Sequence, residues 1–442
     1  MLPPFEIVAR LRPVDLVSAW TATTHERGNF ALPRPAPYAA VTGELTGGRA
    51  AITFESGAVR LTGRYDAGRF ALEVTAATGS LTVHASRRRG TASGPVDQLG
   101  LTLTGTHLTV FGLEEGRWVG RARYALGDRV DVRDEGLLAG LTVSTTGHLG
   151  MLTAGGFGQL GLRDLRFAST ADGEPVRDGG LLWLTATHAG PGFFDAAHTG
   201  VWSFDPDALD LQHTADLFFR RTDSPGVYGD NATHLVRDGD RWLVATSTWG
   251  DFDHAHRDAG VAVTLAESGA DLLRGTHVLD TRPLALPCDG FTSVGVWDPH
   301  LARIDGLWHV GFVSARKFFA FHPALAAGPS LDALSLVAAD TGRRATEGST
   351  LVRLEDGWRL LASDGRDGRR GQRARFPVFD LRLAELGALD APYPTNLPWP
   401  TLARVDDGWL MVTFNGRPEG GGLLGYGTHG SVVVMRSVVR GR

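Results

Sequence analysis

The sequence predicts an all-β protein, an antiparallel β-sandwich followed by a five-bladed β-propeller. Three observations predict it. Glycine fills 58 of 442 positions, short runs rich in Thr, Val and Leu alternate with period two between those glycines, and one turn signal recurs five times in the second half of the chain. Alternation punctuated by glycine is the pattern of strands joined by tight turns. A chain of this length exceeds one ordinary domain, so at least two cores are expected.

Composition bounds the function. A hydrophobic fraction of 43% beside 21% charged residues is enough to bury substantial cores. The net charge of -5, from 44 basic and 49 acidic residues, offers no field for phosphate backbones or anionic lipid. Nucleic-acid and membrane partners are therefore not expected. Cys288 is the single cysteine, so neither an internal disulfide nor a thiolate metal site is available, and it reads as a small buried hydrophobe. Charged residues such as Glu6, Arg10, Arg12 and Asp15 interrupt any apolar run near the start, which predicts a cytoplasmic protein and leaves export by another route open.

Residues 1–39 hold six prolines (Pro3, Pro4, Pro13, Pro33, Pro35, Pro37) and read as an extended arm. Residues 40–169 read as the sandwich. Runs such as Ala50-Ala51-Ile52-Thr53-Phe54, Phe70-Ala71-Leu72-Glu73-Val74 and Leu101-Thr102-Leu103-Thr104 place alternate side chains on one face. With the Trp118 hairpin and a final strand Gly161-Leu162-Arg163-Asp164-Leu165-Arg166-Phe167, this part resembles the laminin-G or concanavalin-like jelly roll.

Residues 170–442 carry the repeat. Asp178-Gly179 precedes Trp183, Asp238-Gly239 precedes Trp242, Asp305-Gly306 precedes Trp308, Asp356-Gly357 precedes Trp358, and Asp407-Gly408 precedes Trp409. Asp-Gly between apolar runs is a hairpin turn, because glycine adopts positive φ without a Cβ clash. Five hairpins at intervals of 51 to 67 residues match small antiparallel sheets repeated around an axis.

In such a ring the first strand of each sheet lines the central channel, so the residue opening it stands at one mouth. Counting back from the turn glycines gives Asp230, Asp298, Glu347 and Trp399. Carboxylates converging on one channel repel one another and lose hydration, which keeps one protonated while another stays ionised. Glycoside cleavage needs that division.

On these residues the stretch 170–440 resembles the five-bladed propeller glycoside hydrolases of families 43 and 62, and of families 32 and 68, which share Asp, Asp and Glu on their blades. The resemblance implies that Asp230 is the general base or nucleophile, that Asp298 in Trp297-Asp298-Pro299 holds the sugar and tunes the acid, and that Glu347 is the general acid. It implies an oligo- or polysaccharide substrate, with arabinofuranosides or arabinan the first expectation and fructofuranosides an alternative. A non-catalytic carbohydrate-binding propeller is the alternative outside catalysis.

Loops at the same rim supply further candidates. Trp249 and Trp399 would stack on a sugar face, or Trp399 would pack between blades. Arg316, Arg417 and Asn415 would bond hydroxyls, and His300 would line the channel beyond Asp298. The run Asp251-Phe252-Asp253-His254-Ala255-His256-Arg257-Asp258 reads as a solvated rim loop or, less simply, as a metal-binding one. No metal or cofactor is expected, a channel calcium apart. Oligomeric state is left open.

Overall fold

In the computed structural model the period-two runs become strands, and the chain is essentially all-β. The structure describes residues 2–438 apart from 27, 254–259, 319, 407 and 419–428.

The N-terminal part is built on one long strand, Tyr38–Ser56, with neighbours along its whole length. Its first half pairs with Gln98–Thr104 and its second with Val59–Asp66, while Thr142–Gln159 runs antiparallel along its other side. The result is an eleven-stranded sheet. Alternation works as expected: Phe70, Leu72 and Val74 point inward to Leu61, Leu101, Leu103, Leu108 and Val110 in one core. The sheet bends until the Arg121 guanidinium lies 5.9 Å from the Phe70 ring centroid.

Five smaller sheets follow in chain order, in a propeller-like arrangement. The first is Leu162–Phe167, Leu181–His188, His198–Asp205 and Asp210–Arg220, with short strands added at its margins. The second is Asn231–Asp238, Arg241–Ser247, Val263–Ser268 and Arg282–Pro283, with Ser169–Thr170 parallel to its inner strand. The third is Gly295–Ile304, Leu307–Lys317, Ala320–Gly328 and Ser335–Ala339. The fourth is Thr346–Leu354, Gly357–Asp364, Pro377–Phe379 and Glu385–Ala388. In the fifth, Thr401–Val405, Gly408–Pro418 and His429–Ser437 are joined by Phe5–Leu11 from the other end of the chain.

Two expectations are corrected here. Residues 1–39 are not a free arm, because Phe5–Leu11 completes the fifth sheet and Asp15–Val17, Thr23–His25 and Asn29–Ala31 pair with Thr142–Gln159. The strand Leu162–Phe167 does not close the N-terminal sheet; it is the inner strand of the first small sheet, paired with Leu181–His188. Leu162–Phe167 therefore belongs with the small sheets, and the Trp183 unit opens the series.

The recurring Asp-Gly signal does mark hairpins, though not always at the same turn position. Asp305 and Gly306 both adopt positive φ, +50° and +82°, the geometry that matches the twist of the flanking strands. At the first copy Gly179 and Gly180 take that role at +57° and +89°. The trailing tryptophans fill the spaces between sheets. Trp183 and Trp242 share one core with Leu217, Leu235 and Val244, and Trp308 packs in the next.

Candidate active site

Each inner strand of the first four small sheets is bulged at the same place. Its register against the neighbouring strand slips between Arg163 and Arg166, Asn231 and His234, Trp297 and His300, and Glu347 and Thr350. Inside the slips, Asp164, Ala232, Asp298 and Gly348 have φ of +53°, +58°, +56° and +72°. A bulge re-aims side chains at the end of a strand. Non-glycine residues held at positive φ are strained by roughly 1–3 kcal/mol each and persist where the surroundings over-determine them.

The bulges meet at a cavity of about 340 Å³. Asp164, Asp298 and Glu347 line it together with Arg163 and Asn231, and the rest of the described wall is apolar. Phe193 and Phe194 come from the first sheet, Trp249 and Phe252 from the second, Trp297, Phe318 and Phe321 from the third, and Leu397 and Trp399 precede the fifth. The aromatic rings form a continuous wall. Phe194 lies 4.3 Å from Trp249, Trp249 5.3 Å from Trp297, and Phe252 4.8 Å from Phe318, centroid to centroid.

The three carboxyl groups share one electrostatic problem. Burial, and then the like charge of Asp164, pushes Glu347 up to about 8, although Trp399 Nε1 donates to its Oε1 at 3.4 Å. Asp298 is raised well above the ordinary carboxylate range, by burial and then by Glu347. Its Oδ2 accepts from the Gly348 amide at 3.3 Å. Asp164 is raised by burial, against the pull of Arg163, a hydrogen bond with Thr187, and Arg166.

Arg166 lies beneath them, fully buried. It donates to the carbonyls of Ser349 (2.8 Å) and Asp298 (3.1 Å) and to Thr350 Oγ1 (3.2 Å), and its guanidinium faces Trp399 at 4.8 Å. Burial lowers its pKa to about 10, which leaves it a cation at neutral pH.

The sequence-predicted residues divide. Asp298, Glu347, Trp249 and Trp399 line the cavity. Asp230 does not: it is buried behind the wall, paired with Arg221, whose Nε donates to its Oδ2 at 2.9 Å, and it accepts from the Gly250 amide at 3.0 Å. His300 lies deeper in the channel, stacked 3.9 Å from His234, with its Nδ1 accepting from the Leu351 amide. Arg316 donates to the Arg343 carbonyl, and Asn415 Oδ1 accepts from the Arg417 amide. Arg316, Asn415 and Arg417 are not among the cavity's lining residues. His254, His256 and Asp258 lie outside the described residues.

Asp164 is the residue that counting from the turns missed. Its strand read as the last of the sandwich, and its sheet's Asp-Gly turn joins other strands. A signal was present nonetheless. Arg163-Asp164-Leu165-Arg166, Asn231-Ala232-Thr233-His234 and Trp297-Asp298-Pro299-His300 align the bulge residue and place a basic residue two positions on, in the channel.

The channel does not suit calcium, which takes oxygen ligands. His234 Nδ1 accepts from the Leu301 amide, its Nε2 meets Ser169 Oγ at 3.2 Å, and Arg166 adds positive charge. Elsewhere, His188, His213 and Asp216 bring potential ligand atoms within 4.8 Å of one another. Their partners describe a hydrogen-bonded cluster. Trp202 Nε1 donates to His188 Nε2 at 2.8 Å, which places the imidazole proton on Nδ1, facing the Gly158 carbonyl. His198 and His213 present Nε2 to Asp216 Oδ1 at 2.9 and 3.0 Å, and these imidazoles outweigh burial in holding Asp216 well below the usual carboxylate range.

No family model matches the sequence, and no curated protein matches it. Solved structures similar to it include a family 117 glycoside hydrolase from Zobellia galactanivorans (10% identity, TM-score 0.43, 64% of this chain and 90% of that one). A GH43_1 enzyme from Xanthomonas citri is similar at 13% identity and TM-score 0.42, over 62% of this chain and 88% of that one. Levansucrase from Bacillus subtilis is similar at 11% identity and TM-score 0.44, over 57% and 79%.

Proposed function

We propose that the protein is a glycoside hydrolase whose five small sheets act as the five blades of a propeller, with the reaction at the cavity where their inner strands are bulged. The observation that carries this reading is the trio Asp164, Asp298 and Glu347 on one cavity, with Glu347 pushed up to about 8. A carboxyl group that keeps its proton at neutral pH is a proton donor, and an ionised one beside it completes an acid–base pair.

In this reading Glu347 protonates the glycosidic oxygen as the bond to the anomeric carbon breaks. Asp164 acts as its ionised partner, either taking a proton from the attacking water or attacking the anomeric carbon itself. It takes the role first expected of Asp230. Asp298, whose carboxylate meets the Gly348 amide beside Glu347, tunes the acid. The indole of Trp399 holds Glu347 in place, and the aromatic wall would stack on the apolar face of a sugar ring. Furanosides and pentosides, arabinofuranosides first, are the substrates we would expect.

The test is sugar release from arabinans, xylans, fructans and nitrophenyl furanosides by the wild type beside Glu347→Gln. Release by the wild type, reduced at least about 100-fold in the variant, is expected when a general acid is removed. Sugar binding without release from any substrate would favour a carbohydrate-binding protein instead.

A further inference from the structure

Two parts of the aromatic wall stand on loops rather than strands, and both loops are held by the N-terminal part of the chain. The loop after Leu181–His188 carries Phe193 and Phe194. Its Asp195 carboxylate accepts from Thr106 Oγ1 at 3.3 Å and lies 3.4 Å from His107 Nδ1, and Arg123 donates to the Pro191 carbonyl at 3.1 Å. At Gly105 a Cβ would overlap the Asp195 carbonyl, so the hairpin tip must be glycine to approach this closely.

The loop after Arg241–Ser247 carries Trp249 and Phe252. Gly250, between them, is held at both its carbonyl and its amide. Arg133, from the N-terminal part, donates to the Gly250 carbonyl at 2.7 Å, while Asp230 accepts from the Gly250 amide. Arg221 then ties Asp230 to Asp251, to which it donates at 2.8 Å. The Tyr228 ring sits between the two guanidinium groups, 4.6 Å from Arg133 and 4.2 Å from Arg221.

We propose that the N-terminal domain is part of the active site's construction: it fixes the two aromatic loops and so sets the width of the cavity, with Arg133 as the principal positioning residue and Asp230 as its anchor on the propeller side. The proposal rests on the cavity being the glycosidase's substrate site. Its physical basis is mechanical. Removing the Arg133 guanidinium leaves the Gly250 carbonyl without that donor and Gly250 held through its amide by Asp230, and the 4.3 Å contact between Phe194 and Trp249 passes any displacement from one loop to the other. Substrate binding should suffer more than the proton transfers at Glu347, which Arg133 does not touch.

The test uses the full chain as Arg133→Ala, Arg133→Lys and, as comparator, Glu135→Ala. The last breaks the exposed pairing of Glu135 with Arg220 (2.7 Å), another contact between the N-terminal part and the first small sheet. Amide hydrogen exchange is read over residues 248–253, together with kcat and KM on whichever glycoside the wild type cleaves. For Arg133→Ala, exchange over 248–253 should rise about tenfold. KM should rise about tenfold with kcat within about twofold. Arg133→Lys, which keeps a donor, should recover part of both changes, and Glu135→Ala should leave both near wild type. Unchanged exchange over 248–253, or a rise spread evenly over the molecule, would overturn the proposal. A wild type that cleaves no glycoside would remove the glycosidase reading, while exchange would still decide whether Arg133 positions the loop.

Discussion

Glu347 retains its proton because every neighbour that bears on it disfavours the anion or is too weak to rescue it. Burial takes away its hydration, Asp164 adds a like charge, and the single indole donor and Arg163 only partly offset them. The pH dependence follows with a definite sign. In the proposed mechanism the acid must be protonated and its partner ionised, so kcat/KM should fall as pH rises through about 8. Asp164 must be ionised, and since its pKa is raised from 3.8, activity should fall on the acid side at a pH above that value. Asp164 acts on Glu347 as a like charge. Replacing Asp164 by Asn removes the like charge, so a carboxyl-carbon NMR titration of Asp164→Asn should find Glu347 titrating lower than in the wild type. An unchanged or higher value would show that burial alone sets its pKa.

The unit that builds the site is the bulged inner strand, and the glycine in its bulge is under a different demand from the glycine in a hairpin turn. At Gly348 φ is +72° and a Cβ would overlap the Trp399 ring; at Gly306 φ is +82° with open space around it. Gly306→Ala should cost only the conformational term, about 1–2 kcal/mol, with activity intact. Gly348→Ala adds a clash with the indole that bonds Glu347. It should lose more stability and also displace the acid, seen as a lower melting temperature with a fall in kcat. Equal effects from the two substitutions would mean that the bulge does not position Glu347. The same element explains what the sequence could disclose. Hairpin turns are local, so Asp305-Gly306 and its relatives were readable as blade signals. A bulge shifts register by one residue, and counting back from a turn therefore found Asp298 and Glu347 but ran two positions past the bulge residue Ala232 to Asp230. Asp164 lay beyond reach of that count, because residues 168–180, with the short strands Ser169–Thr170 and Arg177–Asp178, separate its strand from the next long one.

At the scale of the whole molecule, the chain's two ends meet in one sheet, which no local pattern announces. Phe5–Leu11 pairs with His429–Ser437, and Phe5 packs on Met411, Val433 and Met435. Prolines near the start suggested an arm, yet the alternation of Phe5, Ile7 and Ala9 toward the core is that of an edge strand. Deleting residues 2–12 should open the fifth sheet and lower stability by at least about 2 kcal/mol from the loss of Phe5 burial alone. Thermal unfolding would show it, and an unchanged melting temperature would argue that the strand is dispensable. Read from sequence, the all-β class and the repeat were accessible because they are periodic. The contacts of the N-terminal part with the cavity loops were not, because Arg133 and Gly250 lie 117 residues apart and only the fold brings them together. The account turns on which aspartate does chemistry. The most direct test is kcat for Asp164→Asn beside Asp230→Asn on the same cleaved glycoside. The expected result is a loss of at least about 100-fold for Asp164→Asn with its fold intact, and a kcat within about tenfold of wild type for Asp230→Asn, whose cost falls on KM and on stability through an Arg221 left with Asp251 as its remaining carboxylate partner. The opposite pattern, with Asp230→Asn inactive and Asp164→Asn active, would contradict it.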